Sequence, residues 1–136
     1  MDLSAKFNVR EKANKGAFLH LKNPKNGTFL YEEVNGAEDF TKPIGIYFLG
    51  KDSDKFNQIQ HHKINAAISG KKSQKTSEEI EQDSNDLIAS LAIGWENITV
   101  SGESKFSKDG VLALLSANKW IKEQADLFIG DRANFI

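Results

Sequence analysis

The stretch PIGIYFLGKDS, residues 43–53, divides the chain into two parts with different periodicities. Ile44–Leu49 is a short apolar run rich in β-branched and aromatic residues, which is typical of a buried strand. After this run the apolar residues recur at helical spacing. Ser53 or Asp52 can cap the first helix, because a side-chain oxygen accepts from the unpaired N–H groups of the first turn. Strands before this point and helices after it predict an α+β fold.

Residues 17–34, upstream of the dividing stretch, are predicted to form a β-hairpin. Ala17–Lys22 alternates two faces, as a half-buried strand does, and Thr28–Val34 is rich in β-forming residues. Between them, residues 23–27 read Asn-Pro-Lys-Asn-Gly, a dense turn signal. The polar residues 35–42 are interpreted as a loop that leads into a third strand. The hairpin and third strand together span about residues 17–50.

Residues 53–129, downstream of the dividing stretch, are predicted to be mostly helical. The first helix ends in the very polar stretch 70–77, which we expect to be an exposed linker between helices. Thr76 or Ser77 starts the second helix, because glutamates follow within its first turn and suit the positive end of the helix dipole. Gly94 is predicted to end that helix.

The last third of the chain is predicted to contain one extended segment and two further helices. Trp95–Val100 is short and rich in β-forming residues. Ser107 is the predicted N-cap of the third helix, and a break is expected near Asn118. Helical spacing resumes over Trp120–Ile129.

Length and composition indicate a single domain over residues 1–136, in which residues 1–16 are either a loose lead-in or a docking strand. The chain has no Cys, which excludes disulfides and thiolate metal sites. Its 18 Lys and Arg balance 19 Asp and Glu, which argues against a duplex nucleic acid as partner. The apolar runs are far shorter than the roughly 18–20 residues of a membrane span. We therefore expect a soluble chain with neither a nucleic-acid nor a membrane partner.

The sequence contains no recognisable catalytic or cofactor-binding set. Phosphate-loop and nucleophile-elbow motifs are missing. His61 and His62 are adjacent on a helix, so they point about a hundred degrees apart and cannot chelate one ion together. Asp52-Ser53-Asp54 is interpreted as a helix start and not as a calcium loop, since the loop's Gly and closing Glu are absent. We predict no enzyme, no cofactor and no metal; an enzyme using Asp52, Asp54 and one of these histidines is kept as a further hypothesis.

Four short motifs occur in a fixed order along the chain. Gly50-Lys51-Asp52-Ser53 opens a helix, and Gly94-Trp95-Glu96 follows the second long helix. Phe106-Ser107-Lys108-Asp109 introduces the third helix, and Arg132-Ala133-Asn134-Phe135 lies near the end of the chain. In this order the motifs resemble those of the tail assembly chaperones of long-tailed bacteriophages, the siphophage or prophage tail assembly proteins. The resemblance covers about residues 17–136.

The resemblance implies a chaperone in the host bacterial cytoplasm that binds the tape measure protein. It would keep that protein soluble while the tail tube polymerises, and would be absent from the mature virion. Tail tube protein is an implied second partner, in many phages through a longer form made by ribosomal frameshifting. Coating a long helix needs many copies, and head-to-tail contacts that do not close build an open helical array, so we expect self-association. The alternative is a structural virion protein: a tail tube, terminator or head–tail connector subunit.

Partner contacts are expected in two polar or terminal regions of the chain. One is the basic linker between the first two helices, and the other is the C-terminal end, whose apolar residues either pack back on the domain or contact a partner. The candidate contact residues are Lys71, Lys72, Lys75, Arg132, Phe135 and Ile136.

Overall fold

The computed structural model describes residues 1–68 and 75–136. Helices account for 51% of the structure and strands for 22%. Helices dominate the C-terminal half, which confirms the α+β class. The helices are α1 (Leu3–Phe7), α2 (Val9–Lys15), α3 (Asp54–Ile68), α4 (Ser77–Leu91), α5 (Lys108–Ala117) and α6 (Lys119–Gly130), with a 3₁₀ turn at Arg132–Asn134. The strands are β1 (Ala17–His20), β2 (Tyr31–Val34), β3 (Ala37–Pro43), β4 (Gly45–Phe48) and β5 (Ala92–Glu96).

The main sheet is antiparallel and has the strand order β1-β4-β5. Leu19 of β1 lies opposite Ile46 of β4, and Ile46 lies opposite Trp95 of β5. Ile46 and Phe48 are fully buried, because the apolar face of this sheet packs against α4, α5 and α6. The buried core residues are Leu19, Leu21, Ile46, Phe48, Ile88, Ala89, Leu91, Ile98, Val111, Leu115, Ile121, Ala125 and Ile129.

The prediction that residues 17–34 form one hairpin is wrong in its strand pairing. β1 pairs with β4, and the two arms of the predicted hairpin pair only beside the turn, at the bridge between Lys22 and Phe29 and through backbone hydrogen bonds from Asn23 to Thr28 and from Leu30 to Leu21. The chain does reverse at residues 23–27, where the amide of Gly27 donates to the carbonyl of Asn23. The turn was therefore predicted correctly. β1 pairs with β4 because β4 is apolar, and the two strands together cover the core.

The loop predicted at residues 35–42 is also wrong. β2 and β3 form a two-stranded antiparallel sheet around Asn35 and Gly36. Both turn residues have positive φ, 54° and 81°, which is the backbone of the tight hairpin turn favoured by Asn-Gly. The Asn35-Gly36 turn therefore pairs β3 with β2, although β3 has a polar composition.

Residues 1–16 are not a docking strand, because they form α1, whose residues are all exposed, and α2. Asp2 caps α1 by accepting from the amide of Ala5 at 3.2 Å. α2 packs on the domain through Ala13, which is 2% exposed and whose carbonyl accepts from the amide of Gly50. Asn14 strengthens this contact through two side-chain hydrogen bonds with Asp54.

The predicted helix starts are confirmed at Ser53, Thr76 and Ser107, each of which accepts a hydrogen bond from the amide three residues ahead. The prediction that Gly94 ends the second helix is wrong. α4 ends at Leu91, and Gly94 lies inside β5 opposite Tyr47, because pairing with β4 pulls this segment into the sheet.

The predicted linker at 70–77 falls mainly outside the described residues, which resume at Lys75; the exposed residues 75 and 76 lead directly into α4. Within the two described segments, no helix combines the length and apolar character needed to cross a membrane.

Candidate partner surface

Two of the four sequence motifs meet at the C-terminal end of the chain, in a group that we call the C-terminal cluster: Gly50, Asp52, Arg132 and Phe135. The guanidinium of Arg132 holds the carboxylate of Asp52 with Nε 2.5 Å from Oδ2 and Nη2 2.9 Å from Oδ1. This two-point geometry is the strong form of an Arg–carboxylate pair. The hydrogen bond from Arg132 lowers the pKa of Asp52, against the opposing effect of its partial burial.

The ring of Phe135 completes the C-terminal cluster. Phe135 is only 9% exposed, and its ring meets the ring of Phe128 edge-on at 5.4 Å. A Cβ placed on Gly50 would lie 3.1 Å from the Phe135 ring, so the glycine allows the close approach. Asn134 fixes the turn by donating to the carbonyl of Phe128 at 3.0 Å. The apolar end of the chain thus packs back on the domain.

The other two motifs meet in a second group, the tryptophan cluster, formed by Trp95, Phe106 and Gly110. The rings of Trp95 and Phe106 are perpendicular with centroids 5.5 Å apart. The indole N–H of Trp95 donates to the carbonyl of Ser104 at 2.9 Å. A Cβ on Gly110 would lie 2.8 Å from the Trp95 ring, so α5 can begin directly beneath the indole. These motif residues therefore stabilise the fold.

The candidate contact residues from the sequence occupy different environments. Arg132 and Phe135 are engaged in the C-terminal cluster, whereas Ile136 is 53% exposed. The ammonium group of Lys75 pairs with the carboxylate of Asp83. Lys71 and Lys72 lie outside the described residues. Among the described candidates, Ile136 alone is a large apolar side chain available to a partner without breaking an internal contact.

The strands instead carry a surface of linked rings, which we call the aromatic face: Phe18, His20, Phe29, Tyr31, Phe40 and Tyr47. It runs from the main sheet onto the β2–β3 sheet. Phe18 packs on Tyr47 at 4.8 Å between centroids, and Tyr31 packs edge-on against Phe40 at 5.0 Å. Burial and a hydrogen bond to Glu96 raise the pKa of Tyr47, so its hydroxyl stays protonated at neutral pH.

His20 lies at the centre of the aromatic face and connects its two halves. Its Nε2 is 2.7 Å from the carbonyl oxygen of Leu30; a carbonyl can only accept, so Nε2 donates. The imidazole stacks on Phe29 at 4.5 Å and meets Tyr31 edge-on at 4.9 Å. The rings are therefore held in fixed orientations before any partner binds.

Two rings of the aromatic face are strongly exposed: Phe40 by 72% and Phe29 by 48%. The ammonium of Lys22 lies 5.4 Å from the Phe29 ring centroid, whereas Glu33 and Glu38 face each other across β2 and β3. Exposed apolar rings grouped in this way mark a binding surface more often than scattered ones do. Mixed charge around the rings lacks the continuous basic groove that single-stranded nucleic acid requires.

Sequence reasoning missed the aromatic face. It predicted a half-buried strand over Ala17–Lys22 but assigned none of the side chains of that strand to a partner surface. The alternation in β1, and the equivalent alternation of Phe29 and Tyr31, was the available signal. Joining these short strands into one surface required the pairing of β1 with β4, which no local pattern supplies.

Of the residues considered for metal or acid–base chemistry, Asp54 and His61 line one cleft together with Arg10, Asn57 and Gln58, whereas Asp52 and His62 are not among its lining residues. His61 and His62 are both exposed on α3. Asp52 pairs with Arg132, and Asp54 pairs with Arg10 at 2.7 Å. Searching the described residues finds no group of three or more His, Cys, Asp or Glu side chains that could hold a metal ion. Within residues 52–54, Ser53 caps α3 and both aspartates form ion pairs.

Comparison of the chain with protein-family models, curated proteins and solved structures finds no match.

Proposed function

We propose that this chain is a phage tail assembly chaperone. It binds the tape measure protein in the host bacterial cytoplasm, keeps it soluble while the tail tube polymerises, and is absent from the mature virion. The observation that carries this proposal is the preorganised, exposed aromatic face on the strands, which suits the apolar stripe of a helical partner. The proposal assigns no catalytic step and no cofactor to the chain.

The clusters support the resemblance on which the proposal depends. The four motifs are far apart in the sequence, yet they form two internal contacts: Asp52 with Arg132, and Trp95 with Phe106. Residues that pack together in this way have a shared structural reason to occur in one chain. The ordered motifs therefore fit a fold-forming set, and partner recognition is left to other surfaces.

The aromatic face has the chemistry that a helix-binding chaperone needs. Aromatic side chains provide large contact areas and are enriched among residues that dominate binding energy. An amphipathic helix can lay its apolar stripe on such a surface, with side chains at helical spacing serving as anchors. Because only Phe40 and Phe29 are strongly exposed, each copy offers a small contact. Small contacts repeated over many copies are easily displaced by the growing tube.

Further partners follow from the same proposal. Repeated copies along one tape measure helix would self-associate into an open helical array, and tail tube protein would be recruited, in many phages through a frameshifted longer form. The alternative is a structural virion subunit. A tail tube subunit is expected to be mostly strand, and the helix content of 51% weighs against it. Stoichiometric amounts of this chain in purified virions would favour a terminator or connector.

Co-expression with the cognate tape measure protein tests the proposal. The unaltered chain should raise the soluble fraction of the tape measure protein and co-purify with it. The double variant Phe29→Ser/Phe40→Ser should lose both effects. Leu127→Ser is the matched control, because Leu127 is a large apolar side chain that is 77% exposed but lies on α6 and not among the rings of the aromatic face.

The outcomes of this experiment test the chaperone function and the role of the aromatic face as binding surface separately. A tape measure protein that stays equally insoluble with and without the unaltered chain would refute the chaperone function. If the unaltered chain works and the double variant works equally well, the function stands but the aromatic face is not its binding surface. Circular dichroism of each variant confirms that folding is unchanged.

A further inference from the structure

Helix α1 presents an apolar side that its own copy does not bury. None of its five residues is buried, and Leu3 and Phe7, one helical turn apart, are both exposed. Isolated helices shorter than about 12 residues are marginal in water, so a helix this short depends on contacts for its stability. A surface that covers Leu3 and Phe7 would therefore stabilise α1.

The exposed side of α1 forms one wall of an open cleft where α1 meets α2. The cleft has a volume of about 580 Å³, ample for a phenyl ring, and its apolar lining residues are Leu3, Phe7 and Val9. Two basic side chains border it: Arg10 belongs to the lining, and the ammonium of Lys6 lies 5.5 Å from the Phe7 ring centroid. The cleft suits an aromatic side chain that is accompanied by carboxylates.

The β2–β3 sheet carries these complementary features. Phe40 is the most exposed ring of the aromatic face. Glu33 and Glu38 lie opposite each other in the strand register, and Glu38 is two residues from Phe40 in β3. Like charges directly opposite each other destabilise a strand pair, so a cation placed beside them would be favourable.

The charges of the two regions are opposite. Residues 1–16 contain four basic and two acidic side chains, whereas residues 31–43 contain one basic and four acidic side chains. Arg10 is paired with Asp54, and within the described parts of the chain no carboxylate pairs with Lys6. Because Phe40 and α1 are both exposed, the two regions do not cover each other within one copy.

We propose that Phe40 of one copy inserts into the α1–α2 cleft of a second copy. The carboxylates of Glu33 and Glu38 then meet the ammonium of Lys6. An apolar side chain that fits a pocket elsewhere on the same molecule makes a head-to-tail contact, which builds an array or a ring and not a symmetric dimer.

This inference names the contact between copies that the proposed helical array requires, and in that respect it rests on the proposed function. Phe40 is joined to the other rings of the aromatic face through Tyr31, so a neighbour at this end does not use Phe29. The contact involves this chain alone. Its failure would remove this route to the array and leave the chaperone function to the co-expression experiment.

Sedimentation equilibrium of the full chain tests the contact, because it gives the average mass at each protein concentration. The mass of the unaltered chain should rise with concentration beyond that of a dimer. Phe40→Ser removes the inserted ring and Leu3→Ser/Phe7→Ser removes a wall of the cleft, so each variant alone should keep the mass of one copy. An equimolar mixture of the two variants should stop at a dimer, since one intact ring and one intact cleft remain.

Charge reversal tests the polar part of the contact. Glu33→Lys/Glu38→Lys should weaken association about tenfold, because like charges then meet at Lys6. Adding Lys6→Glu to that variant should restore association. Leu127→Ser is the control, because Leu127 is exposed on α6 and belongs to neither surface; it should associate as the unaltered chain does.

Three results would overturn the proposal. The first is a single-copy mass of the unaltered chain at every concentration up to the millimolar range. The second is a mixture of the two variants that stays monomeric or grows beyond a dimer, and the third is association of Phe40→Ser equal to that of the unaltered chain. Circular dichroism of each variant checks that a loss of association is not a loss of folding.

Discussion

Phe135 and Phe40 are the same kind of side chain in two regions with opposite roles. Phe135 belongs to the C-terminal cluster and is 9% exposed, whereas Phe40 belongs to the aromatic face and is 72% exposed. The first lies in one of the four short motifs that carry the resemblance, and the second lies in no motif at all. The comparison teaches that the recognisable motif residues stabilise the fold, while the surface suited to a partner is built from strand residues that carry no signature.

The largest expected difference between the two regions is in stability. Phe135→Ala should lower the free energy of unfolding by about 3 kcal/mol, since a buried Phe replaced by Ala loses both transfer energy and packing. Phe40→Ala should change it by less than about 0.5 kcal/mol, as exposed substitutions usually do. Urea unfolding followed by circular dichroism measures both values. Equal losses would contradict the division into an internal cluster and an exposed face.

A smaller change in stability is expected when the close approach of Gly50 to the Phe135 ring in the C-terminal cluster is disturbed. Gly50→Ala should cost about 1 kcal/mol, because the new Cβ would press on the Phe135 ring from 3.1 Å. In a Phe135→Ala background the same substitution should be nearly neutral, since the ring is gone. A double-mutant cycle in urea gives the coupling between the two positions. Independent, additive effects would mean that Gly50 is needed for another reason.

The Asp52–Arg132 ion pair of the C-terminal cluster should make a pH-dependent contribution to the free energy of unfolding. This contribution should be similar to or smaller than the effect of Gly50→Ala. Arg132→Gln should lower the free energy of unfolding modestly at pH 7, because the contact is bidentate although the guanidinium is exposed to solvent. Arg132 lowers the pKa of Asp52 in the folded state. The pair's contribution is therefore complete above the unfolded-state pKa of about 3.9 and is lost as the pH falls through the lower folded-state value.

Unfolding curves of the unaltered chain and Arg132→Gln at pH 7 and near pH 3 check this dependence. The difference between the two proteins should be largest at pH 7 and shrink in acid. Arg10→Gln is the matched control, since the Arg10–Asp54 pair is more exposed at both side chains and should contribute less. A difference that grows in acid would contradict the assigned role of Asp52.

Local signals in the sequence predicted the four helices after Ser53 and the strand before Gly50, but not α1, α2 or β3. Ser53, Thr76 and Ser107 were recognisable as caps because their partners lie three residues away, and the apolar run before Gly50 was recognisable as a strand. Pairings across long separations were not accessible. Asp52 and Arg132 are 80 residues apart, and the sequence left open whether the apolar end packs back or contacts a partner.

The aromatic face illustrates the same limit at the candidate site. Its rings come from β1, β2, β3, β4 and the segment before β2, and each strand contributes only one or two of them. Tyr47 reaches Phe18 only because β4 lies beside β1. Because β3 has a polar composition, it was not predicted as a strand, and Phe40 was not assigned to a sheet. In the structure the Asn35-Gly36 turn pairs β3 with β2. A surface assembled from non-local strand pairs has no single pattern in the sequence.

Hydrogen–deuterium exchange of the purified complex with the tape measure protein is the most direct test of the central claim, that the aromatic face and not the C-terminal cluster receives the partner. Binding should slow exchange in residues 17–47, above all in β2 and β3, and leave residues 131–136 unchanged. Protection confined to residues 131–136, with none in the strands, would contradict the account.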